Sequence, residues 1–171
     1  VTLCLKEYGL VFSQMGELDK ALKYSKQVLN RNQQQGNTYG IANSYYNIGK
    51  IHLKKQHYST SLTYLNKALQ IKQKLDDRME IPAIFRLMGE NHMKIGNKSK
   101  ALSYFAQALA EAKKQNLKQE IKDIYFDLYQ FHKEMHQYKD ALDYYSAWAV
   151  LKHSLNNQRI SEMEMKYEFE K

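Results

Sequence analysis

Proline occurs once in these 171 residues, cysteine once, and glycine only seven times. Proline and glycine oppose helix most strongly, so their scarcity leaves helix open along nearly the whole chain. A lone cysteine, Cys4, cannot close an internal disulfide. It shares a register with Ser44, Ile84 and Ile124 and reads as a packed thiol. No run approaches the roughly 18 apolar residues of a membrane span, and no charged start followed by an apolar stretch marks a signal peptide. No membrane contact is therefore expected of this chain itself. Also missing are a glycine-rich phosphate loop, paired cysteines and a His-Glu-x-x-His segment, and no carboxylate pair stands apart from the charged helix surface. Catalysis, a cofactor and a metal are not expected.

What remains is an ordinary globular composition, 43% hydrophobic and 26% charged, with a formal net charge of +8. Residues 157–171 hold Arg159, Lys166 and Lys171 against Glu162, Glu164, Glu168 and Glu170, a balance of −1, which leaves +9 on the rest. A basic balance attracts nucleic acid when it is concentrated. Here Lys20, Lys23, Lys54, Lys55, Lys98 and Lys100 are spread along the chain and read as solvated helix faces, so nucleic acid is not an expected partner.

The organising feature is a repeat. Residues 41–69 fall on residues 1–29, 81–109 and 121–149 at shifts of 40 without gaps. Small residues recur at Ala21, Ser61, Ala101 and Ala141, each followed by leucine (Leu22, Leu62, Leu102, Leu142) and then by tyrosine (Tyr24, Tyr64, Tyr104, Tyr144). Upstream come Leu5, Tyr45, Phe85 and Tyr125, and a glycine column Gly9, Gly49 and Gly89 that only Tyr129 breaks. Turn-forming residues keep the same period at Gly36, Asp76, Asn116 and Asn156. Such a period marks stacked helix hairpins, with small residues letting helices approach and Leu and Tyr filling the space beside them. The fold class expected is an all-α solenoid of antiparallel helix hairpins with an extra C-terminal helix.

An aromatic then an apolar-Gly pair in the first helix, with Ala-Leu-x-Tyr and Ala-Leu in the second, resembles the tetratricopeptide repeat over residues 1–156. The usual unit of that family is about 34 residues, and the additional residues here read as further helical turn around each joint. The units expected are 1–36, 37–76, 77–116 and 117–156, with 157–171 as a capping or signalling helix. Within them, helices are expected to meet at Met15-Gly16, Gln56-His57, Gly96-Asn97 and His136-Gln137. Ser59 is expected as an N-cap, and Pro82 is expected to start its helix late, near Ile81, or to kink it. The last hairpin carries Trp148 where the others have Val28, Ala68 and Ala108, a bulk that would crowd a further standard unit. Because the sequence starts and stops inside helical patterns, it reads as a piece of a longer protein with repeats before it.

The end of the chain has Ile160, Met163 and Tyr167 at coiled-coil-like spacing among glutamates. Ile160-x-Glu162-Met163 followed by Lys166-Tyr167-Glu168-x-Glu170-Lys171 resembles the segment that joins such repeats to the membrane helix in bacterial sensor histidine kinases. These three apolar residues are the candidate transmission or dimer helix, and a homodimer through it is one expectation.

His52, His92 and His132 also recur at the 40-residue period. Zinc needs each nitrogen at about 2.0–2.1 Å, whereas stacked helices lie about 8–10 Å apart. The three occupy the aromatic column begun by Phe12 and read as packing residues.

The resemblance implies a binding groove lined by the first helix of each unit. Its positions here are Lys6 and Leu10, then Asn43, Tyr46, Asn47 and Lys50, then Arg86, Glu90 and Met93, then Asp123, Phe126, Asp127 and Gln130. A groove of mixed charge with aromatic and methionine side chains suits a protein or peptide ligand. Lys6 and Asn47 match two positions of the clamp by which some members hold a chaperone tail, but Leu10, Ala83 and Leu87 stand where its polar partners would be. That ligand is set aside. A plain solvated inner face is the reading left beside peptide binding.

The function expected is therefore a non-catalytic protein- or peptide-binding module, the sensory part of a bacterial signal-transduction protein of the two-component histidine kinase type. It would face the periplasm from an inner-membrane parent. The alternatives are a cytoplasmic location, a scaffold or dimerisation module, and the repeat region of a helix-turn-helix transcriptional regulator.

Overall fold

The computed structural model describes residues 2–169, and the side chains of residues 5–163 and of Met165. Cys4 and Tyr167, both singled out in the sequence, have side chains outside that set. Eight helices follow one another: α1 (Thr2–Gln14), α2 (Leu18–Gln34), α3 (Thr38–Lys54), α4 (Tyr58–Lys74), α5 (Ile81–Lys94), α6 (Lys98–Lys114), α7 (Lys118–Glu134) and α8 (Tyr138–Phe169). No strand occurs among the described residues. The fold is the all-α class of tandem antiparallel hairpins, and the chain divides into two compact units, residues 1–104 and 105–171.

The joints are built alike. Each has one residue with left-handed backbone, and these residues fall at half the repeat spacing: Gly16, Gly36, Gln56, Asp76, Gly96, Asn116 and His136, with φ between 50° and 83°. At each, the amide of the following residue donates back to a carbonyl five positions earlier. Examples are Asn37 N to Asn32 O at 2.9 Å, His57 N to His52 O at 2.9 Å and Gln137 N to His132 O at 2.9 Å. From Gly36 onward the left-handed residue's own amide bonds the carbonyl three back, as Gln56 N does to Leu53 O. This pair of bonds is the Schellman cap, which satisfies carbonyls that a helix end leaves without partners. The next helix starts two positions later, except after Asp76, where α5 waits until Ile81.

Two expectations about helix ends need correction. Ser59 is not a cap: α4 starts at Tyr58, with His57 at the cap position and no side-chain capping bond. The joint's own geometry sets the start, whichever side chain follows. Asn156 is not a joint either, because α8 runs through it to Phe169 without a break. Residues 157–169 are helical as expected, but they extend α8 and do not form a separate element. Pro82 behaves as its ring requires: α5 begins at Ile81 with the proline in its first turn, where no backbone bond is lost.

In the unit of residues 1–104, Ala21, Ala42, Ile48, Ser61, Leu65, Ala68, Ile84 and Met88 are fully or almost fully buried. Packing at Gly49 is close enough to exclude a methyl group, since a Cβ there would stand 2.9 Å from Leu65 Cγ. Several polar groups in this core are bonded, although Asn91 Oδ1 and His52 Nδ1 have no hydrogen-bond partner. Ser61 Oγ donates to Gly49 O at 2.8 Å and accepts from Asn91 Nδ2 at 3.0 Å. Asn32 Nδ2 donates to Ser44 Oγ at 3.1 Å.

Lys72, which the repeat pattern did not single out, is wholly buried. Its ammonium meets Asp77 Oδ2 at 2.7 Å and Glu80 Oε2 at 2.8 Å, and lies 3.8 Å from the Tyr39 ring centroid. Burial by itself pulls its pKa down, but the hydrogen bonds to Asp77 and Glu80, with their charges, leave it above the usual lysine value.

The histidine column is a stacking column. His52 lies on Tyr64 (centroids 5.6 Å, 4° between planes), His92 on Tyr104 (5.4 Å, 5°) and His132 on Tyr144 (5.2 Å, 20°), as Phe12 lies on Tyr24 (5.4 Å, 4°). The other edge of each tyrosine meets the upstream aromatic column: Tyr45, Phe85 and Tyr125, at 5.9–6.1 Å. One helix thus grips its hairpin partner by two rings, two helical turns apart, around a single tyrosine.

The unit of residues 105–171 buries Phe105, Ala108, Ala112, Ile124, Leu128 and Phe131. Two irregularities of the sequence meet here. Tyr129, which interrupts the glycine column, and Trp148, which interrupts the small column, both pack on Phe126 and Tyr145, with centroids 5.3–5.8 Å apart. Lys152 Nζ sits 4.5 Å from the Trp148 ring centroid. Where Leu65 and Ala68 of α4 are fully buried, Tyr145 in the register of Leu65 is 44% exposed.

Candidate peptide-binding site

The candidate groove residues lie on the first helices of the hairpins, and each compact unit has its own share. In residues 1–104, α1 and α3 each pack on α2, and Lys54 of α3 reaches across to Ser13 of α1. They enclose a cleft of about 210 Å³ lined by Lys6, Gly9, Leu10, Ser13 and Gln14 of α1, Ser25 and Val28 of α2, and Ser44, Asn47, Lys50, Ile51 and Lys54 of α3. Four of the expected positions, Lys6, Leu10, Asn47 and Lys50, are brought together in this wall. A Cβ at Gly9 would meet Ser25 Oγ of α2 at 3.4 Å.

The cleft has an electrostatic sign. Three lysines and no carboxylate line it. Lys54 is tethered: its ammonium donates to Ser13 O at 3.0 Å and to Ser13 Oγ at 3.2 Å. By contrast, lysines just outside the cleft are matched with acids, Lys55 with Asp19 and Lys20 with Glu17. Leu10, Val28 and Ile51 give the cleft its apolar part.

Asn43 and Tyr46 are half-buried on α3 and do not line the cleft. Arg86, Glu90 and Met93 are half-buried on α5. In residues 105–171, Asp123, Asp127 and Gln130 are half-buried and Phe126 is exposed, with Asp123 paired to Lys122 at 3.1 Å. On the C-terminal part of α8, Ile160 and Met163 are 55% and 70% exposed.

Reasoning from the repeat missed Ser13, Gln14, Val28, Ile51 and Lys54, because it assigned the groove one helix face at a time. A signal for Lys54 exists in the sequence. It stands one helical turn after Lys50, so the two share a face.

Among the described residues no group of three or more His, Cys, Asp or Glu side chains could hold a metal ion, and no helix is long and apolar enough to cross a membrane. The imidazoles of His52 and His92 are held below their usual pKa, His52 by burial and then by His57, Lys26 and Lys55, His92 by burial and then by Lys100.

Comparison with known proteins agrees with this architecture. Residues 1–74 match the model of the tetratricopeptide repeat family. No curated protein matches the sequence significantly. Among solved structures, the chain is similar to a Rap protein complexed with competence and sporulation factor (19% identity, TM-score 0.82, 90% of this chain and 43% of that one). It is also similar to the Rap conjugation gene regulator of plasmid pLS20 in complex with the Phr* peptide (22% identity, TM-score 0.79, 85% and 41%). A third similarity is to a signal transduction ATPase with numerous domains from Pyrococcus horikoshii, which has a tetratricopeptide repeat sensor (22% identity, TM-score 0.76, 92% and 25%). The chain spans less than half the length of each of these three proteins. The family match covers residues 1–74, and the hairpins after them keep the same spacing of helices and joints.

Proposed function

We propose that this chain is a non-catalytic binding module that holds a peptide, or an extended segment of a protein, along the first helices of its hairpins. The observation that carries this reading is the cleft of about 210 Å³ between α1 and α3, where Lys6, Leu10, Asn47 and Lys50 converge. Support comes from two similarly folded Rap proteins whose structures contain a signalling factor or peptide. Tandem hairpins expose such inner surfaces as a consequence of stacking. In the whole protein the module serves as a sensor, with α8 carrying the change onward through Ile160, Met163 and the residues after them. The sensor proposal includes a two-component kinase as the output.

The test is selection of peptides from a displayed random library against the protein. Each selected peptide is then titrated against Ser13→Trp and Asn47→Trp variants, whose added rings fill the cleft. Loss of binding in both, with the helical circular dichroism unchanged, supports the reading. Peptides that bind the variants as well as the parent protein place the ligand elsewhere. For the sensor role, the full-length protein is compared with a form lacking residues 157–171. Unchanged signalling by the shortened form removes α8 from the pathway.

A second reading rests on the exposed Ile160 and Met163, whose spacing suits pairing with a copy of α8. Light scattering with and without residues 157–171 decides it.

A further inference from the structure

We infer that the α1/α3 cleft selects an extended segment of five residues with acidic side chains at positions one, three and five and apolar side chains at positions two and four. This rests on the peptide-binding reading and adds the chemistry of the ligand. Three observations carry it.

The first is sign. Lys6, Lys50 and Lys54 line the cleft and no carboxylate does. Lys6 and Lys54 have no carboxylate partner among the described residues, although Lys20 and Lys55 close by are each paired with one. An anionic ligand supplies the missing charge to lysines that are all exposed, so each ion pair adds little and the selection comes from several acting together.

The second is spacing. Shifted by one repeat, Lys54 stands level with residue 14 of α1, eight residues beyond Lys6, and Lys50 stands midway between those levels. Eight helical residues rise about 12 Å. An extended chain covers that distance in about four residues at ~3.3 Å each. Acidic residues at positions one and five of a strand therefore reach Lys6 and Lys54, and one at position three reaches the level of Lys50.

The third is the apolar part. Leu10, Val28 and Ile51 also line the cleft, and Leu10 and Ile51 fall between the lysine levels in the repeat register. They suit the side chains at positions two and four. Leu10 also argues against a chain terminus as the anion, because a terminal carboxylate needs more hydrogen-bond donors than an apolar neighbour offers.

The experiment uses the peptide Glu-Leu-Glu-Leu-Glu, with an uncharged dye on its amino end and an amide on its carboxyl end, followed by fluorescence anisotropy. The expected result has three parts. The acidic peptide binds at least about tenfold more tightly than Gln-Leu-Gln-Leu-Gln, a difference within reach of two or three ion pairs. Its affinity falls as salt is raised. The double variant Lys6→Ala/Lys54→Ala loses that preference, whereas Lys67→Ala, whose lysine lies over Tyr45 and Tyr64, keeps it.

Equal binding of the glutamine peptide overturns the charge selection and leaves peptide binding standing. Undiminished binding by the double variant overturns the assignment to this cleft. Binding only when the carboxyl end is free shows terminal capture and overturns the proposal. If none of these peptides binds while library-selected ones fill the cleft, the proposed ligand class is wrong although the site is right; if no peptide of any kind binds, both readings fall.

Discussion

Ser61 Oγ donates a 2.8 Å hydrogen bond to the backbone carbonyl of Gly49, tying α4 to α3 where the two helices approach closely. The contact explains a glycine in mid-helix, where it costs about 1 kcal/mol against alanine. A methyl at residue 49 would stand 2.9 Å from Leu65 Cγ and 3.3 Å from Ser61 O, and Leu65 is fully buried with nowhere to move. At Gly9, in the same column, the nearest atom is 3.4 Å away, an ordinary contact.

These two glycines should respond oppositely to the same substitution. Gly49→Ala is expected to lower stability by about 1–2 kcal/mol, overpacking outweighing the gain in helix propensity. Gly9→Ala should raise it by up to ~1 kcal/mol. Urea denaturation of both variants checks this, and equal shifts would mean that close packing does not explain the column.

At the joints, Gln56 adopts φ 60° and His136 φ 58°, a backbone region that costs a residue with a Cβ about 1–2 kcal/mol and glycine little. Gln56→Gly and His136→Gly are expected to raise the thermal midpoint, each by the equivalent of ~0.5–1 kcal/mol once the greater freedom of unfolded glycine is counted. Gly36→Ala, at φ 63°, should lower it. Differential scanning calorimetry gives all three values.

The buried ammonium of Lys72 depends on its two acids. Asp77→Ala leaves the charge with one partner and should cost about 3 kcal/mol. Replacing all three groups, Lys72→Met with Asp77→Asn and Glu80→Gln, is expected to cost much less, because no buried charge remains. Chemical denaturation compares the two. A larger loss in the triple variant would show that the ion pairs stabilise the fold beyond their desolvation.

The histidine stacks set a pH dependence. Both His52 and His92 are held below the usual value of 6.5, so between their folded pKa and 6.5 the unfolded chain binds more protons. Stability is therefore complete above about pH 6.5 and declines as the pH falls through the folded values. The melting temperature is expected to drop between pH 7.5 and 5.5. His52→Phe/His92→Phe, which copies the Phe12–Tyr24 stack, should flatten that part of the profile. An unchanged slope would assign the acid sensitivity to other groups.

The repeat made the hairpins legible because each packed column has one physical demand repeated four times. Ala21, Ser61, Ala101 and Ala141 are buried for the same reason, and Phe12, His52, His92 and His132 each cover a tyrosine. Features that depend on one neighbourhood were not legible. Lys72 looks like a surface lysine until Asp77, Glu80 and Tyr39 are seen around it. Asn156 has the chemistry of a helix end, yet α8 continues through it, because local preference for a turn is weak beside what the helix gains by continuing. Tyr129 and Trp148 were two separate exceptions in the sequence and one aromatic cluster in space. The first helices could be named as the candidate binding face, but the sign of the cleft required knowing that Lys54 lies beside Ser13.

The shared caps have a consequence for how such a chain changes length. Every helix from α2 to α8 follows a left-handed joint of the same kind, and the joints keep an even spacing from Gly16 to His136. Excising or duplicating one whole repeat between two joints returns each helix to the kind of neighbour it is built to meet. The same operation over half a repeat would exchange the roles of first and second helices and put residues such as Ile41, Ile81 and Ile121 where Ala21, Ser61 and Ala101 stand. Duplication that keeps these contacts therefore comes in pairs of helices, and the proposed binding surface grows or shrinks in those steps.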